Sequence, residues 1–311
     1  MKVLVIGGAG FIGSHIVDML IDKNYEVCII DNMSHGKKEN INSGAKFYKM
    51  DIRNPEIIDI FKTEKPDYVV HEAAQINVSN SIINPIEDAE INIIGSINVL
   101  EACKQTKVKK IIYPASAAIF GNPRYLPIDE LHPLDMISPY GVSKHTVEHY
   151  LKVYKELYDI DYVILRYSNV YGPRQSSSGE GGVVAIFCDR LMKGQAPVIY
   201  GDGEQIRDFV YVKDVAAANI MALESDKCGT YNVSTNTKTS INELLKCIES
   251  SFNLFAKPIY KEARIGDIEE SYMAYDKIYK ELGWKPRSGL ECGVQEIKKL
   301  LFKQKISKVG A

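Results

Sequence analysis

The stretch that decides the fold is Val3-Leu4-Val5-Ile6-Gly7-Gly8-Ala9-Gly10-Phe11-Ile12-Gly13. Four apolar residues in a row read as a buried strand, and the apolar spacing from Phe11 to Ile21 reads as a helix packed on it. Gly7, Gly10 and Gly13 lie between the two. Gly7 permits a tight turn, Gly10 lets the backbone approach a pyrophosphate, and Gly13 lets helix and sheet pack closely, leaving an anion on the helix N-terminus. The spacing is G-x-x-G-x-x-G rather than the commoner G-x-G-x-x-G. A glycine triplet alone is weak evidence, and the competing reading is turn glycines with no ligand. The position between strand and helix favours the nucleotide. Lys2 and the apolar run after it have the onset of a short leader peptide, but the glycines interrupt the run, so it is read as a strand.

Outward from this loop the same rhythm continues. Strands are expected at Val27 to Ile30, Phe47 to Met50, Tyr68 to His71, Ile111 to Tyr113 and Tyr162 to Tyr167. Between them, Pro55 to Phe61, Glu90 to Cys103 and Tyr140 to Tyr158 carry helical spacing. Strand and helix in alternation predict an α/β, Rossmann-type doubly wound parallel sheet. After Gly172-Pro173 the alternation weakens, and helical patterns remain at Val183 to Met192, Ile241 to Ser250, Asp276 to Leu282 and Gly289 to Leu301. The expected division is residues 1–172 for the dinucleotide and 173–311 for a smaller C-terminal substrate lobe, with part of the latter returning to the sheet. The Ser- and Gly-rich segment Ser176 to Gly182 is expected to be a loop that orders over a ligand.

Composition narrows the partners. The chain has 311 residues, 45% of them hydrophobic, enough for one large core and a smaller one. With 38 basic and 40 acidic residues the net charge is -2, which gives no general attraction to nucleic acid or to an anionic membrane. No run of about 18 apolar residues is present for a spanning helix. The cysteines, Cys28, Cys103, Cys188, Cys228, Cys247 and Cys292, include no C-x-x-C pair, so neither a zinc site nor a disulfide framework is expected; a cytoplasmic protein without a metal is.

Asp31 ends the second strand, where a carboxylate accepts hydrogen bonds from both adenosine ribose hydroxyls of NAD and repels a 2'-phosphate. Asn32, Met33 and Ser34 follow it with no basic residue among them, so NAD is favoured over NADP. Asp51 and Ile52, expected to end the third strand, are adenine-edge candidates. Alternatively Asp51 caps the helix beginning near Pro55.

Of the 19 tyrosines, only Tyr140 has a lysine four residues on. On a helix Tyr140 and Lys144 share one face, a turn apart. A tyrosine with an ordinary pKa of about 10 needs about 4 kcal/mol of phenolate stabilisation to work near neutrality. The Lys144 ammonium and an oxidised nicotinamide are the expected sources, and Lys144 can also hold the nicotinamide ribose. Ser116, just past the strand Ile111 to Tyr113, lies at the carboxyl edge where ligands bind in open α/β sheets. Alone it would read as a turn residue; beside Tyr140 and Lys144 it reads as a third catalytic residue.

These residues, with His71-Glu72-Ala73-Ala74-Gln75, Asn92, Ser116 to Gly121, Pro139-Tyr140-Gly141-Val142-Ser143-Lys144, Arg166 to Arg174, Tyr200 to Gly203, Arg207 to Val212 and Arg264-Ile265-Gly266-Asp267, resemble the extended short-chain dehydrogenase/reductase family. Within it the likeness is to sugar-nucleotide 4-epimerases, and it covers nearly the whole chain. The resemblance implies that Gly7, Gly10, Phe11, Ile12, Gly13, Asp31, Asn32, Asp51, Ile52, Ala73, Ala74, Gln75, Asn92, Tyr140, Lys144 and Tyr167 meet NAD. It implies that Ser116, Tyr140, Asn169, Gly182, Val183, Tyr200, Arg207, Arg264, Asp267 and Ser271 meet a UDP-sugar. Arg207 and Arg264 would grip the diphosphate, and Asp267 a ribose hydroxyl. Two departures stand out: Pro114 and Ala115 replace the small polar residues that commonly precede the catalytic hydroxyl, and Phe120 replaces a frequent tyrosine.

Dehydratases of this superfamily carry acidic residues directly after that hydroxyl. Ala117 and Ala118 stand there instead and transfer no proton, which disfavours elimination of water. The expected reaction is reversible oxidation at C4: Tyr140 takes the hydroxyl proton, NAD the hydride, and the keto sugar turns over before reduction on its other face. Ser271 stands where some epimerases place a bulky aromatic, which leaves room for an N-acetyl group unless Tyr272 refills it. UDP-GlcNAc/UDP-GalNAc and UDP-Glc/UDP-Gal are therefore the expected pairs. The alternatives are a UDP-glucuronate 4-epimerase, another nucleotide-sugar oxidoreductase or dehydratase, and a noncatalytic NAD-binding regulator. A homodimer is expected through the apolar faces of Ile91 to Leu100 and Val147 to Tyr158.

Overall fold

The computed structural model describes residues 1–178, 182–263 and 267–309. In chain order the elements are β1 (Lys2–Ile6), α1 (Phe11–Asp22), β2 (Glu26–Asp31), β3 (Lys46–Lys49), α2 (Ile57–Glu64), β4 (Tyr68–His71), α3 (Val78–Ile83), α4 (Pro85–Ala89), α5 (Ser96–Thr106), β5 (Lys110–Ser116), α6 (Pro139–Tyr158), β6 (Asp161–Tyr167) and β7 (Asn169–Tyr171). There follow α7 (Val183–Met192), β8 (Val198–Tyr200), β9 (Ile206–Arg207), β10 (Phe209–Tyr211), α8 (Val212–Glu224), β11 (Gly229–Val233), β12 (Thr239–Ser240), α9 (Ile241–Phe252), β13 (Ile259–Lys261), β14 (Glu270–Ser271), α10 (Asp276–Leu282) and α11 (Leu290–Val309).

Seven strands form one parallel sheet in the order β11-β6-β5-β4-β1-β2-β3. The side-chain alternation of β1 shows why its four apolar residues are needed. Val3 and Val5 join a core with Ile16, Val17 and Leu20 of α1 and Val215 and Ala218 of α8. Leu4 and Ile6 join the opposite core, with Phe61 of α2, Val99 and Cys103 of α5 and Val147 and Leu151 of α6. A strand covered on both faces must be apolar at every position. Each such side chain contributes about 1.5–3 kcal/mol of burial.

Segment boundaries shift in instructive ways. The run Glu90 to Cys103, expected as one helix, is a π-helical stretch Glu90–Gly95 followed by α5. The wider π turn brings Asn92 inward, and Gly95 sits where a Cβ would lie 2.6 Å from Ile52. β5 extends through Ser116, so the serine closes the strand instead of following it. β3 ends at Lys49, so Asp51 and Ile52 lie two and three residues beyond the strand they were expected to end. Asp51 does not cap α2 either: Glu56 holds the N-cap position, and no side chain bonds there. Ser138 caps α6, accepting from the Gly141 N–H at 3.2 Å, and Pro139 fills its first turn.

The C-terminal half supplies β11, which adds to the sheet beside β6, and α8, which covers it against α1. Neither was legible as an element from the sequence. α7, α9 and α11 close a second core around Val184, Phe187, Leu244, Ile248 and Val294. Small sheets, β12-β9-β14 and β13-β8, edge this lobe. No helix among the described residues is long and apolar enough to cross a membrane.

Candidate active site

The glycine loop is built as its sequence demands. Gly7 has φ +82°, and a Cβ there would lie 2.7 Å from the Ala73 amide nitrogen. At Gly13 a Cβ would lie 2.3 Å from the Gly7 carbonyl oxygen, so only glycine lets α1 come this close to the loop. Gly10 is the N-cap of α1, with no side chain capping the helix and no acidic residue in its first turn. Phe11 and Ile12 open the helix and pack toward the second core. The Asp31 carboxylate, at the end of β2, accepts from the Ala9 N–H at 3.0 Å and the Met33 N–H at 2.8 Å, which fixes it against the loop. A helix N-terminus that no side chain fills, a glycine cradle and a fixed carboxylate fit the pyrophosphate and adenosine ribose of NAD. Asn32 donates to Asp51 at 2.9 Å, and Arg53 makes two side-chain bonds to the same carboxylate, which lie beside this end of the cleft. Together these bonds hold the Asp51 carboxyl far below the usual range despite partial burial.

The candidate catalytic residues gather at the carboxyl ends of β4, β5 and β6. Tyr140 enters α6 at its second residue, its amide donating to Ser81 Oγ at 3.1 Å, and its phenol lies near Ser116, whose hydroxyl favours the phenolate. Ser116 Oγ also accepts from the Ala118 N–H at 3.2 Å. Lys144, one turn on, is 4% exposed, and its ammonium lies 4.4 Å from the centre of the Tyr113 ring. Burial draws the Lys144 ammonium down to about 8, against the opposing pull of Glu72, Glu148 and Asp88.

The expected lowering of Tyr140 does not arise in the protein alone. Burial pushes the phenol up, the neighbouring Ser116 hydroxyl pulls it back, and Asp88 and Glu72 add to the rise. Desolvation of a phenolate outweighs one neighbouring hydroxyl, so ionising Tyr140 requires positive charge beside it.

Asn92 bonds Gln75 from both directions, accepting from its N–H at 2.8 Å and donating to its carbonyl at 3.1 Å. The same amide reaches Ser143 Oγ on α6 at 3.1 Å. The Ala73, Ala74 and Gln75 backbone is thereby tied to the helix bearing Tyr140 and Lys144. Tyr167, closing β6, is buried and donates to Glu72 at 3.0 Å while Asn219 donates to its hydroxyl at 2.7 Å. Ser96 donates to the Asn92 carbonyl at 2.6 Å and so accepts from His71 Nε2 at 2.9 Å, which leaves His71 Nδ1 the bare nitrogen. Burial and the nearby Lys144 hold His71 down to about 3 and hence neutral.

Farther out, Arg207 on β9 reaches Asp267 at 2.5 Å and the Ile206 and Ile268 carbonyls. Ser271 pairs with Arg207 across β14 and β9. Asn169 is exposed at the start of β7, its amide bonded to the Asp208 carbonyl. Asp208 organises this edge: its carboxylate accepts from the Thr235 N–H and hydroxyl, from the Asn236 N–H and from the Met273 N–H. Gly182 precedes α7, Val183 begins it, and Tyr200 closes β8. Arg264 and residues 179–181 of the expected mobile loop lie outside the described residues. Among the described residues no cluster of three or more His, Cys, Asp or Glu is arranged for a metal.

Sequence reasoning passed over Glu72, Ser81, Asp88, Ser143 and Asn219, all bonded to these groups. Glu72 alone carried a signal: an acidic residue at the carboxyl end of a sheet strand, where ligands bind.

Residues 3–234 match the NAD dependent epimerase/dehydratase family. The putative UDP-glucose 4-epimerase of Methanocaldococcus jannaschii is 48% identical over 296 residues, spanning 95% of this chain and 96% of that protein. The crystal structure of the Thermotoga maritima UDP-glucose 4-epimerase with UDP-glucose superposes with a TM-score of 0.96 at 42% identity, covering 98% of this chain and all of that one. The UDP-N-acetylglucosamine 4-epimerase from Methanobrevibacter ruminantium, in complex with UDP-N-acetylmuramic acid, superposes with a TM-score of 0.93 at 39% identity, covering 97% and 98%.

Proposed function

The chain belongs to the NAD-dependent epimerase/dehydratase family, and we propose that it is the 4-epimerase of a UDP-hexose, an isomerase that inverts C4 through a keto sugar. The observation that carries this reading is Tyr140 and Lys144 one turn apart at the start of α6, with Ser116 closing β5 near the Tyr140 phenol. Bound NAD supplies reversible oxidation of the sugar carbinol. Tyr140 takes the C4 hydroxyl proton, Ser116 steadies that hydroxyl, and Lys144 offsets the phenolate charge that burial opposes. Tyr140 returns the proton after the sugar has turned, so the protein ends as it began.

Dehydration is disfavoured by the segment after Ser116. Gly141, beside Tyr140, sits where a Cβ would come within 2.8 Å of the Ala118 carbonyl oxygen, so this segment packs directly on the catalytic helix. Ala117 packs against the apolar cluster of Ile119, Phe120, Ile128 and Met273, and neither it nor Ala118 carries a group that transfers a proton.

Residues 1–172 are assigned to NAD, through Gly7, Gly10, Gly13, Asp31 and Lys144 above all. Residues 173–311 mainly serve the nucleotide sugar, with β11 and α8 returned to the sheet. Arg207 and Arg264 are assigned to the diphosphate, and Asp267 to the uridine ribose. Both UDP-Glc/UDP-Gal and UDP-GlcNAc/UDP-GalNAc are assigned as substrates. Support for the N-acetylated pair is the small Ser271 beside Arg207 and the position of Tyr272, whose ring lies 4.6 Å under the Lys238 ammonium. In extended chain, neighbouring side chains point to opposite faces, so Tyr272 is turned from the space Ser271 leaves.

Ile82, Ile83, Ile86 and Ile94, with Val142, Val153 and Leu157 of α6, are exposed and apolar, which supports a homodimer built on these helices. The free cysteines support a cytoplasmic location. Incubating the protein with each UDP-sugar and resolving products by NMR tests the reading. Interconversion of the C4 epimers is expected for both pairs, and loss of water or no conversion rejects it.

A further inference from the structure

α6 carries two histidines for which the proposed reaction has no task, His145 and His149. Residues four apart on a helix share a side, and here the two rings meet. His145 Nε2 and His149 Nε2 are 3.0 Å apart, with the ring planes at 73°. The ring centres stand 4.5 Å apart, closer than two imidazoles meeting nitrogen to nitrogen along a straight line can stand, so the contact is bent. A bent N–H···N contact is a poor hydrogen bond. His149 is exposed, so the pair is open to solvent at that end.

The inner side of the pair is already ordered. Arg166 holds the buried Glu148 carboxylate with bonds at 3.0 and 2.7 Å, and the same carboxylate lies 3.0 Å from His145 Nδ1. A carboxylate only accepts, so the proton between them sits on Nδ1, and in the neutral ring the Nε2 lone pair is left bare. This is the carboxylate–histidine arrangement that fixes the tautomer and orientation of a metal-bound imidazole and raises its basicity. On His149, partial burial, His145 and Lys152 hold the ring below its ordinary value, against the pull of Glu148, so a proton competes less for its nitrogen.

We propose that His145 Nε2 and His149 Nε2 form a two-nitrogen chelate for a divalent transition-metal ion, with Glu148 and Arg166 behind it as its support. Two nitrogens each about 2.0–2.1 Å from an ion and 3.0 Å apart subtend about 95° at it. That is the cis angle of square-planar or tetragonal coordination, narrower than the tetrahedral one. The ions favoured are therefore Cu2+ and Ni2+, which also stand high in the affinity order for such donors. Water fills the remaining positions. The site uses neither Tyr140 nor Lys144, although His145 directly follows the lysine in the chain.

The test is calorimetric titration of the full chain, freed of metal with a chelator, with NiCl2. Saturable binding of one Ni2+ per chain is expected, with a melting temperature that rises with NiCl2 concentration because the ion binds the folded helix. His149→Ala removes an exposed ligand and disturbs no buried group. It should weaken Ni2+ binding at least about tenfold, the intramolecular advantage of a second linked ligand. With Cu2+ below one equivalent, the electron paramagnetic resonance spectrum should show splitting from two imidazole nitrogens in the unaltered protein and from one in His149→Ala. A site equally tight in His149→Ala overturns the proposal and assigns the ion to other donors, such as the exposed Cys228 and Cys292. Absence of saturable binding in the unaltered protein also overturns it, as when a homodimer closes over this part of α6. No sugar is turned over, so the epimerase reading can fail without changing either result.

Discussion

Asn92 and Gln75 hold each other through two opposed hydrogen bonds, the side-chain amide of one closing on the peptide groups of the other at 2.8 and 3.1 Å. The clasp fixes the chain after β4 at the height of the cleft, and the further bond to Ser143 ties it to α6. Asn92 is 2% exposed, so Asn92→Ala leaves buried peptide groups without partners, each costing about 1–3 kcal/mol. We expect a loss of about 2–4 kcal/mol in urea unfolding and reduced retention of NAD on dilution. Asn92→Leu should behave no better, because its volume restores no donor.

Two glycines of the first loop separate packing from ligand approach. Gly13→Ala places a methyl 2.3 Å from the Gly7 carbonyl oxygen, which only a displacement of α1 can relieve, at a cost of about 3 kcal/mol or more. At Gly10 the nearest atom would be 3.1 Å away and φ is -76°, open to any residue. Gly10→Ala should therefore fold with a melting temperature within about 3 °C of the parent yet lose NAD, because the methyl intrudes on the anion's approach. Calorimetry together with the NAD released on denaturation would check both; equal NAD retention in Gly10→Ala would remove that glycine from the cofactor site.

For Tyr140→Phe we expect kcat to fall by at least about a thousandfold, since the proton acceptor is lost. For Ser116→Ala the fall should be about tenfold to a hundredfold, because a steadying hydroxyl goes and the base remains. Both variants should retain NAD, which separates chemistry from cofactor binding. Product formation followed by NMR, with NAD quantified in the same sample, is the check.

The parts legible in the sequence are those whose residues are local to one another. The strand, loop and helix from Val3 to Ile21 announce themselves because the pattern and the glycines sit within one βαβ unit, and Tyr140 and Lys144 because helical spacing alone joins them. β11 was not legible: Gly229–Val233 is short, and its partner β6 is more than sixty residues away. The π stretch at Glu90–Gly95 was read as ordinary helix because its apolar spacing is the same; only the packing of Gly95 on Ile52 distinguishes it. The burial that raises Tyr140 was not legible for a related reason. Spacing reveals a neighbouring charge, whereas burial depends on the whole fold.

Arg166 and Glu148 make the last prediction, on pH. Arg166 grips the fully buried Glu148 carboxylate with two bonds, at 3.0 and 2.7 Å, and His145 adds a third contact at 3.0 Å. Burial pushes the Glu148 carboxyl up, but the His145 and Arg166 bonds prevail and hold it at about 2, below its ordinary 4.5. A carboxyl depressed in the folded state adds stability that is fully present above the unfolded value and disappears as the pH falls through the folded one. The contribution is about 3 kcal/mol, complete above pH 4.5 and gone below pH 2. Glu148→Gln leaves Arg166 buried without its counter-charge, so it should cost about 3–5 kcal/mol at neutral pH. Its stability should then decline less steeply between pH 4.5 and 2, by up to one proton's worth of slope, about 1.4 kcal/mol per pH unit. Urea unfolding of both proteins across this range decides it: parallel acid limbs would mean that Glu148 is protonated alike in the folded and unfolded chains, and that the ion pair contributes nothing to acid stability.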